Sequence, residues 1–126
     1  MPGFIGRQLC PQLMFVKSNK EKYKKISETE FIPILKQYDP NLETIGMDEA
    51  NLDVTDYLRE HKLDHPEGRI YLANKIREQI ETQTRMTASM GVACNKMLAK
   101  ICSEINKPNG QSYLPFEFNV IREFMD

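Results

Sequence analysis

Cysteine is scarce in this chain, and the three present, Cys10, Cys94 and Cys102, are odd in number and lack Cys-x-x-Cys spacing. That argues against a disulfide scaffold or a zinc site and for a reducing compartment. Histidine is limited to His61 and His65. Their four-residue spacing would suit a metal on a helix, but Pro66 disfavours helical backbone at His65 and no third ligand is near, so a polar loop is expected. No long hydrophobic run occurs. Leu13 to Val16 is too short for a signal-peptide core and lies behind a proline rather than a charged leader, which argues against secretion or a membrane span. Charge of one sign is missing too: 17 Lys and Arg against 18 Asp and Glu give a net charge of -1. A free-standing DNA binder is normally basic, so the chain reads as a body that leaves duplex grip to other domains. There are no repeats or low-complexity stretches. At 126 residues the chain is one domain at most, long enough to bury a core if its sheet is complete.

What is present alternates between helical and strand patterns, an α+β class with helices packed on one face of an antiparallel or mixed sheet. Leu13 to Val16 reads as a strand. A helix over Lys20 to Gln37 turns Tyr23, Ile26, Ile34 and Leu35 inward, and Pro33 demands a kink or break near Phe31. Thr55 is placed to cap a short turn. A second long helix, Glu67 to Arg85, gathers Ile70, Ala73, Ile76 and Ile80 on one face and sends Arg69, Lys75, Arg77, Glu78 and Glu81 mostly outward. Thr87 to Ala93 reads as a strand of small and apolar residues, and Phe116 to Met125 as a last helix. The seven methionines are scattered and serve as gap fillers.

Asp48 and Glu49 stand between two short apolar-patterned runs, Leu42 to Met47 and Ala50 to Val54, where folding does not call for acids. Asp-Glu is a poor tip for a two-residue hairpin, which prefers residues that accept positive φ. If the pair is nevertheless the tip, Met47 faces Ala50 and Ile45 faces Leu52, with matching apolar residues on one face. Adjacent carboxylates repel unless a cation lies between them, so a hard divalent ion is one reason for the pair and an acidic surface turn is the other.

Asn95 is a plausible N-cap for a helix running to about Ile105. Leu98, Ile101, Cys102 and Ile105 fall on a stripe that faces the core. Lys96 and Lys100, joined by Lys107 if the helix is continued, lie on the opposite side as a basic rail or simply a solvated face. Pro108 cannot continue the helix and Asn109-Gly110 supplies left-handed backbone, so Lys107 is held at a turn, where a lysine can grip a phosphate.

In order along the chain, Met1-Pro-Gly-Phe-Ile-Gly-Arg-Gln-Leu-Cys-Pro-Gln-Leu13, Met47-Asp-Glu-Ala50, Thr87-Ala-Ser-Met-Gly-Val-Ala93, Leu98-Ala-Lys-Ile-Cys-Ser103 and Asn106-Lys-Pro-Asn-Gly-Gln111 resemble the Y-family translesion DNA polymerases. The resemblance implies a polymerase palm over residues 13–115, a remnant of the fingers over 1–12, and the start of a connection to a thumb over 116–126. It implies two magnesium ions, with Asp48 matching the carboxylate that touches both and Glu49 the one that helps hold the ion activating the primer 3′-hydroxyl. Lys107 matches a lysine on the triphosphate of the incoming nucleotide, and Asn95 and Lys100 take supporting nucleotide-binding roles. Primer-template DNA and deoxynucleoside triphosphates are the implied partners, with a replication clamp and other repair proteins through further regions. The implied compartment is the nucleus.

The chain also departs from the family pattern. The strand bearing the first catalytic aspartate and the aromatic residue that follows it have no counterpart. Met1 coincides with an internal methionine of the pattern, and the thumb and extra DNA-binding domain are not matched, so the chain is expected to be a fragment, inactive alone and with an incomplete sheet. Gly46 stands where serine is usual and Asn51 where tyrosine is usual. Two other readings stay open: a diguanylate-cyclase-like enzyme, because Gly46-Met-Asp-Glu-Ala50 is similar to that family's hairpin, and a non-catalytic palm-like module that binds nucleic acid or a protein.

Overall fold

The computed structural model describes residues 1–126, in which helices α1 (Gly3–Leu9), α2 (Lys20–Ile26) and α3 (Ile32–Lys36) precede a hairpin of β1 (Glu43–Ile45) and β2 (Glu49–Asn51). Helices α4 (Thr55–Glu60) and α5 (Pro66–Thr84) follow, then β3 (Met90–Val92), α6 (Lys96–Ile105), β4 (Gln111–Tyr113) and α7 (Phe118–Met125). The α+β expectation holds, but the strands form two separate ribbons, β1 with β2 antiparallel and β3 with β4 parallel.

The break expected near Phe31 is a π-helical turn, Ser27–Phe31, joining α2 to α3. Pro33, in the first turn of α3, has no N–H to donate and its ring crowds the preceding turn, so the wider turn just before it relieves both problems. Ile34 and Leu35 are buried as expected, while Tyr23 is 53% exposed. Leu13 to Val16 forms no strand. No partner strand pairs with it, and Met14 and Val16 are more than four-fifths exposed, so an apolar run alone does not make a ladder.

Helix α5 starts as His65 and Pro66 dictate. His65 is extended, its Nδ1 accepts a hydrogen bond from the Gly68 amide at 3.1 Å, and Pro66 fills the first helical position. His65 is therefore a cap, and His61 ends α4 with its ring nitrogen against the Tyr57 carbonyl at 2.8 Å. Short helix α4 is preceded by Asp53, whose carboxylate accepts from the Thr55 amide at 3.1 Å and the Thr55 hydroxyl at 2.6 Å.

One core gathers Ile34, Leu35, Tyr38, Leu58, Leu72, Ile76 and Ile80, with Ala50, Leu52 and Val54 packed against it. Ile70, expected inside, is 38% exposed, and Leu72 takes the buried place beside Ala73. The second core is smaller: Leu98, Cys102 and Leu114, flanked by Val120, Ile121 and Phe124 of α7. It is possible because β3 and α6 touch. A Cβ on Gly91 would overlap the Ala99 carbonyl oxygen and stand 2.5 Å from the Ser103 amide nitrogen, so only glycine lets α6 lie this close.

Arg69 and Arg77, expected outward, are folded inward as clamps. Arg69 reaches Asp64 at 2.8 Å and the Tyr113 hydroxyl at 3.1 Å, with its guanidinium 4.1 Å from the centre of the Phe116 ring. Arg77 donates to the Ala88 carbonyl at 2.9 Å and to the Asn109 carbonyl and side-chain oxygens at 2.6 Å. A planar fork of five donors suits these multiple acceptors, and neither arginine could be told from a surface cation by periodicity.

Candidate active site

The hairpin register differs from the one the sequence suggests. Ile45 pairs with Glu49, Thr44 with Ala50 and Glu43 with Asn51, so the turn is Gly46-Met47-Asp48 and Glu49 is already in β2. Gly46 explains the shift. Its φ of +70° is left-handed, which glycine adopts freely, so the reversal starts at Gly46 and spans three residues to Asp48, rather than being a two-residue tip at Asp48-Glu49. Because side chains alternate along a strand, Glu43, Ile45, Glu49 and Asn51 share one face while Thr44, Ala50 and Leu52 take the other. Ala50 and Leu52 pack on the larger core, so the carboxylate-bearing face is turned away from it.

That face meets the lysines of α6. Lys96 Nζ donates to Glu43 Oε1 at 2.6 Å, and Lys100 Nζ donates to Glu49 Oε1. Lys100 also reaches Glu104 Oε1 at 3.0 Å, and Glu104 accepts from Lys107 Nζ at the same distance. The basic rail is thus a ladder of alternating charge rather than a free cationic stripe. Hydrogen bonds donated to Glu49 first, and then to Glu104, hold the Lys100 ammonium above the usual lysine range. Lys100 and then Lys107 hold the Glu104 carboxyl below the usual carboxylate range.

Helix α6 has the boundaries its sequence punctuation implies. The Asn95 side chain accepts from the Leu98 amide at 2.9 Å, so its oxygen is occupied as an N-cap. Leu98 and Cys102 are buried, whereas Ile101 and Ile105 are 40% and 55% exposed, a wider apolar stripe than β3 and α7 cover. Burial raises the Cys102 thiol pKa, which keeps it protonated and inert. Lys107 lies just past the helix, on a turn braced from two sides. Asn106 Nδ2 donates to the Gln111 carbonyl at 2.7 Å, and Arg77 holds Asn109, whose φ is +50°.

Asp48 is exposed on the turn, and no group of three or more His, Cys, Asp or Glu side chains is arranged to hold a metal ion. Asp48 and Glu49 supply oxygen donors of the type a hard divalent ion takes, and such an ion can bind through one or two protein carboxylates with water and substrate phosphates completing its shell.

A family model described as impB/mucB/samB family matches residues 1–104. The chain belongs to that family. Membership in the impB/mucB/samB family removes the diguanylate-cyclase alternative. The chain is 41% identical over 125 residues to DNA polymerase kappa of Arabidopsis thaliana, covering 99% of this chain and 18% of that protein. It is 40% identical over 116 residues to a DNA polymerase IV of Dehalococcoides mccartyi, covering 91% of this chain and 28% of the relative. Among solved structures, a DinB family error-prone DNA polymerase from Sulfolobus solfataricus matches with a TM-score of 0.86 at 31% identity, covering 100% of this chain and 36% of that one. An insertion ternary complex of Dbh DNA polymerase matches with a TM-score of 0.84 at 31% identity, covering 98% and 34%. The chain therefore spans about a fifth to a third of the length of these polymerases. No helix is long and apolar enough to cross a membrane.

Sequence reasoning missed Glu104 and Arg77. Glu104 lies three residues before Lys107 and four after Lys100, a spacing that puts an acid within reach of both on a helix. Arg77 carries no comparable local signal.

Proposed function

We propose that this chain is the palm part of a template-directed DNA polymerase of the kappa-like translesion type, which adds deoxynucleotides to a primer opposite damaged DNA. Residues 1–12 belong to the fingers, 13–115 to the palm, and 116–126 lead toward a thumb. One observation carries the reading: in a chain of this family, Glu49, Lys100, Glu104 and Lys107 form a continuous series of ionic contacts that links the carboxylate hairpin to the Lys107 turn.

Asp48 and Glu49 are the residues that would hold the metal ions. Two magnesium ions, when bound, supply charge neutralisation at the attacking and leaving oxygens of an in-line displacement. Lys107 places a positive charge for the triphosphate, where it offsets the charge that builds on the leaving pyrophosphate. Lys100 is the partner of the Glu49 carboxylate while no metal ion is bound, and Asn95 fixes the start of the helix that carries Lys100 and leads into the Lys107 turn. Primer-template DNA and deoxynucleoside triphosphates are the substrates, a replication clamp is a further partner, and the plant relative favours the nucleus as compartment.

The test is a chimera in which this chain replaces the matching segment of the Arabidopsis polymerase. It extends a primed template with magnesium. Lys107→Ala lowers single-nucleotide insertion efficiency by about 1.5–3 kcal/mol, the range for a hydrogen bond to a charged group, with DNA affinity unchanged. Lys96→Ala costs less, because its partner is the exposed Glu43. Equal losses at both lysines, or a loss confined to DNA binding, would reassign the ladder to the nucleic-acid backbone.

A further inference from the structure

Lys100 has two acidic partners of different kinds. Glu104 is four residues along the same helix, so that contact persists whatever the hairpin does. Glu49 is 51 residues away on β2, so that contact exists only where the hairpin and α6 meet. All three side chains are partly open to solvent, at 48% for Lys100, 39% for Glu49 and 50% for Glu104, so the ammonium can change partners without a backbone movement. An ammonium at a carboxylate neutralises its single negative charge, the site a divalent ion would take with twice the charge, and two cations repel when they share one carboxylate at close range.

We propose that Lys100 is a displaceable resident cation of Glu49, which neutralises that carboxylate until a divalent metal ion takes it and then rests on Glu104 alone. The proposal rests on the reading of Glu49 as a metal ligand. In this arrangement Lys100 opposes metal binding, and Glu104 favours it by giving the displaced ammonium an acceptor. A static ion pair has neither property in this linked form.

The experiment uses the whole 126-residue chain and Mn²⁺ as the probe, with free ion counted by electron paramagnetic resonance. Mn²⁺ binds the unaltered chain, and Glu49→Gln removes that binding. Lys100→Met, with Lys100→Gln as a second variant, tightens Mn²⁺ binding about two- to fivefold, the range for releasing an exposed ion pair. Glu104→Gln weakens it to a similar extent when Lys100 is present and has no effect in the Lys100→Met background. Circular dichroism checks that each variant keeps its helix content. Unchanged or weaker Mn²⁺ binding in both Lys100 variants would overturn the exchange, and so would an equal effect of Glu104→Gln with and without Lys100, which is a simple field effect. Absent binding, or binding indifferent to Glu49→Gln, would instead overturn the metal-ligand reading and the exchange with it.

Discussion

Gly91→Ala is the substitution most informative about how the site is built. The added Cβ would overlap the Ala99 carbonyl oxygen and lie 2.5 Å from the Ser103 amide nitrogen and 2.8 Å from Cys102 Cβ. Two of the three obstacles are helix backbone, so no rotamer change relieves them. Restoring an ordinary 3.4 Å contact with the Ser103 nitrogen alone needs about 0.9 Å of separation between β3 and α6. That separation opens the smaller core, where Leu98 and Cys102 are now 3% and 1% exposed. Overpacking of this kind costs about 3 kcal/mol. For a domain of this length each kcal/mol moves the melting temperature by roughly 4 °C, so the expected fall is about 12 °C. Thermal melts followed by circular dichroism at matched concentration measure it. A shift under about 3 °C would mean that α6 is not seated on Gly91, and the placement of Lys100 and Lys107 argued from that seat would fail with it.

Arg77→Met removes the donors to Ala88 and Asn109 that brace the turn after Lys107, and should cost about 2 kcal/mol in urea unfolding. Arg77→Lys should recover little, since an ammonium cannot span the same acceptors. Asp53 gives a pH-dependent prediction: hydrogen bonds from the Thr55 hydroxyl first, and its amide second, hold the carboxyl below the usual carboxylate range. A depressed folded-state pKa contributes stability above the unfolded value, about 3.9, and loses it as pH falls through the folded value. Asp53→Ala should therefore cost about 1 kcal/mol at pH 7, with the difference from the parent shrinking below about pH 4. A gap that stays constant down to pH 2 would exclude the ionised Asp53 carboxylate as the acceptor of the Thr55 hydrogen bonds.

The elements legible in the sequence are those with local punctuation. Asn95 before α6 and Pro108 after it mark that helix, because capping acts within one turn, whereas α5 begins at Pro66 with His65 as its cap, a residue that reads from sequence as part of a polar loop. The hairpin register was not legible in the same way. Asp48 and Glu49 drew attention as chemistry, while the residue that decides the turn is Gly46, two positions earlier. Leu13 to Val16 shows a different limit, since a strand exists only with a partner and the pattern of one segment does not provide it. The inward turn of Arg69 and Arg77 depends on acceptors 44 and 32 residues away, Tyr113 and Asn109, which no helical period encodes. Asp39 was likewise missed: it is buried and accepts from the Asn41 and Asp53 amides at 2.9 and 2.8 Å, tying the end of α3 to the segment after β2.

The proposed role of Asp48 and Glu49 is to hold the metal ions of nucleotidyl transfer, and primer extension by the chimera with Asp48→Ala tests it most directly. Loss of a primary metal ligand should reduce extension by roughly a hundredfold or more at saturating magnesium while the protein still binds primed DNA. Extension by Asp48→Ala at a rate close to that of the parent chimera would contradict the assignment of the hairpin as the catalytic centre.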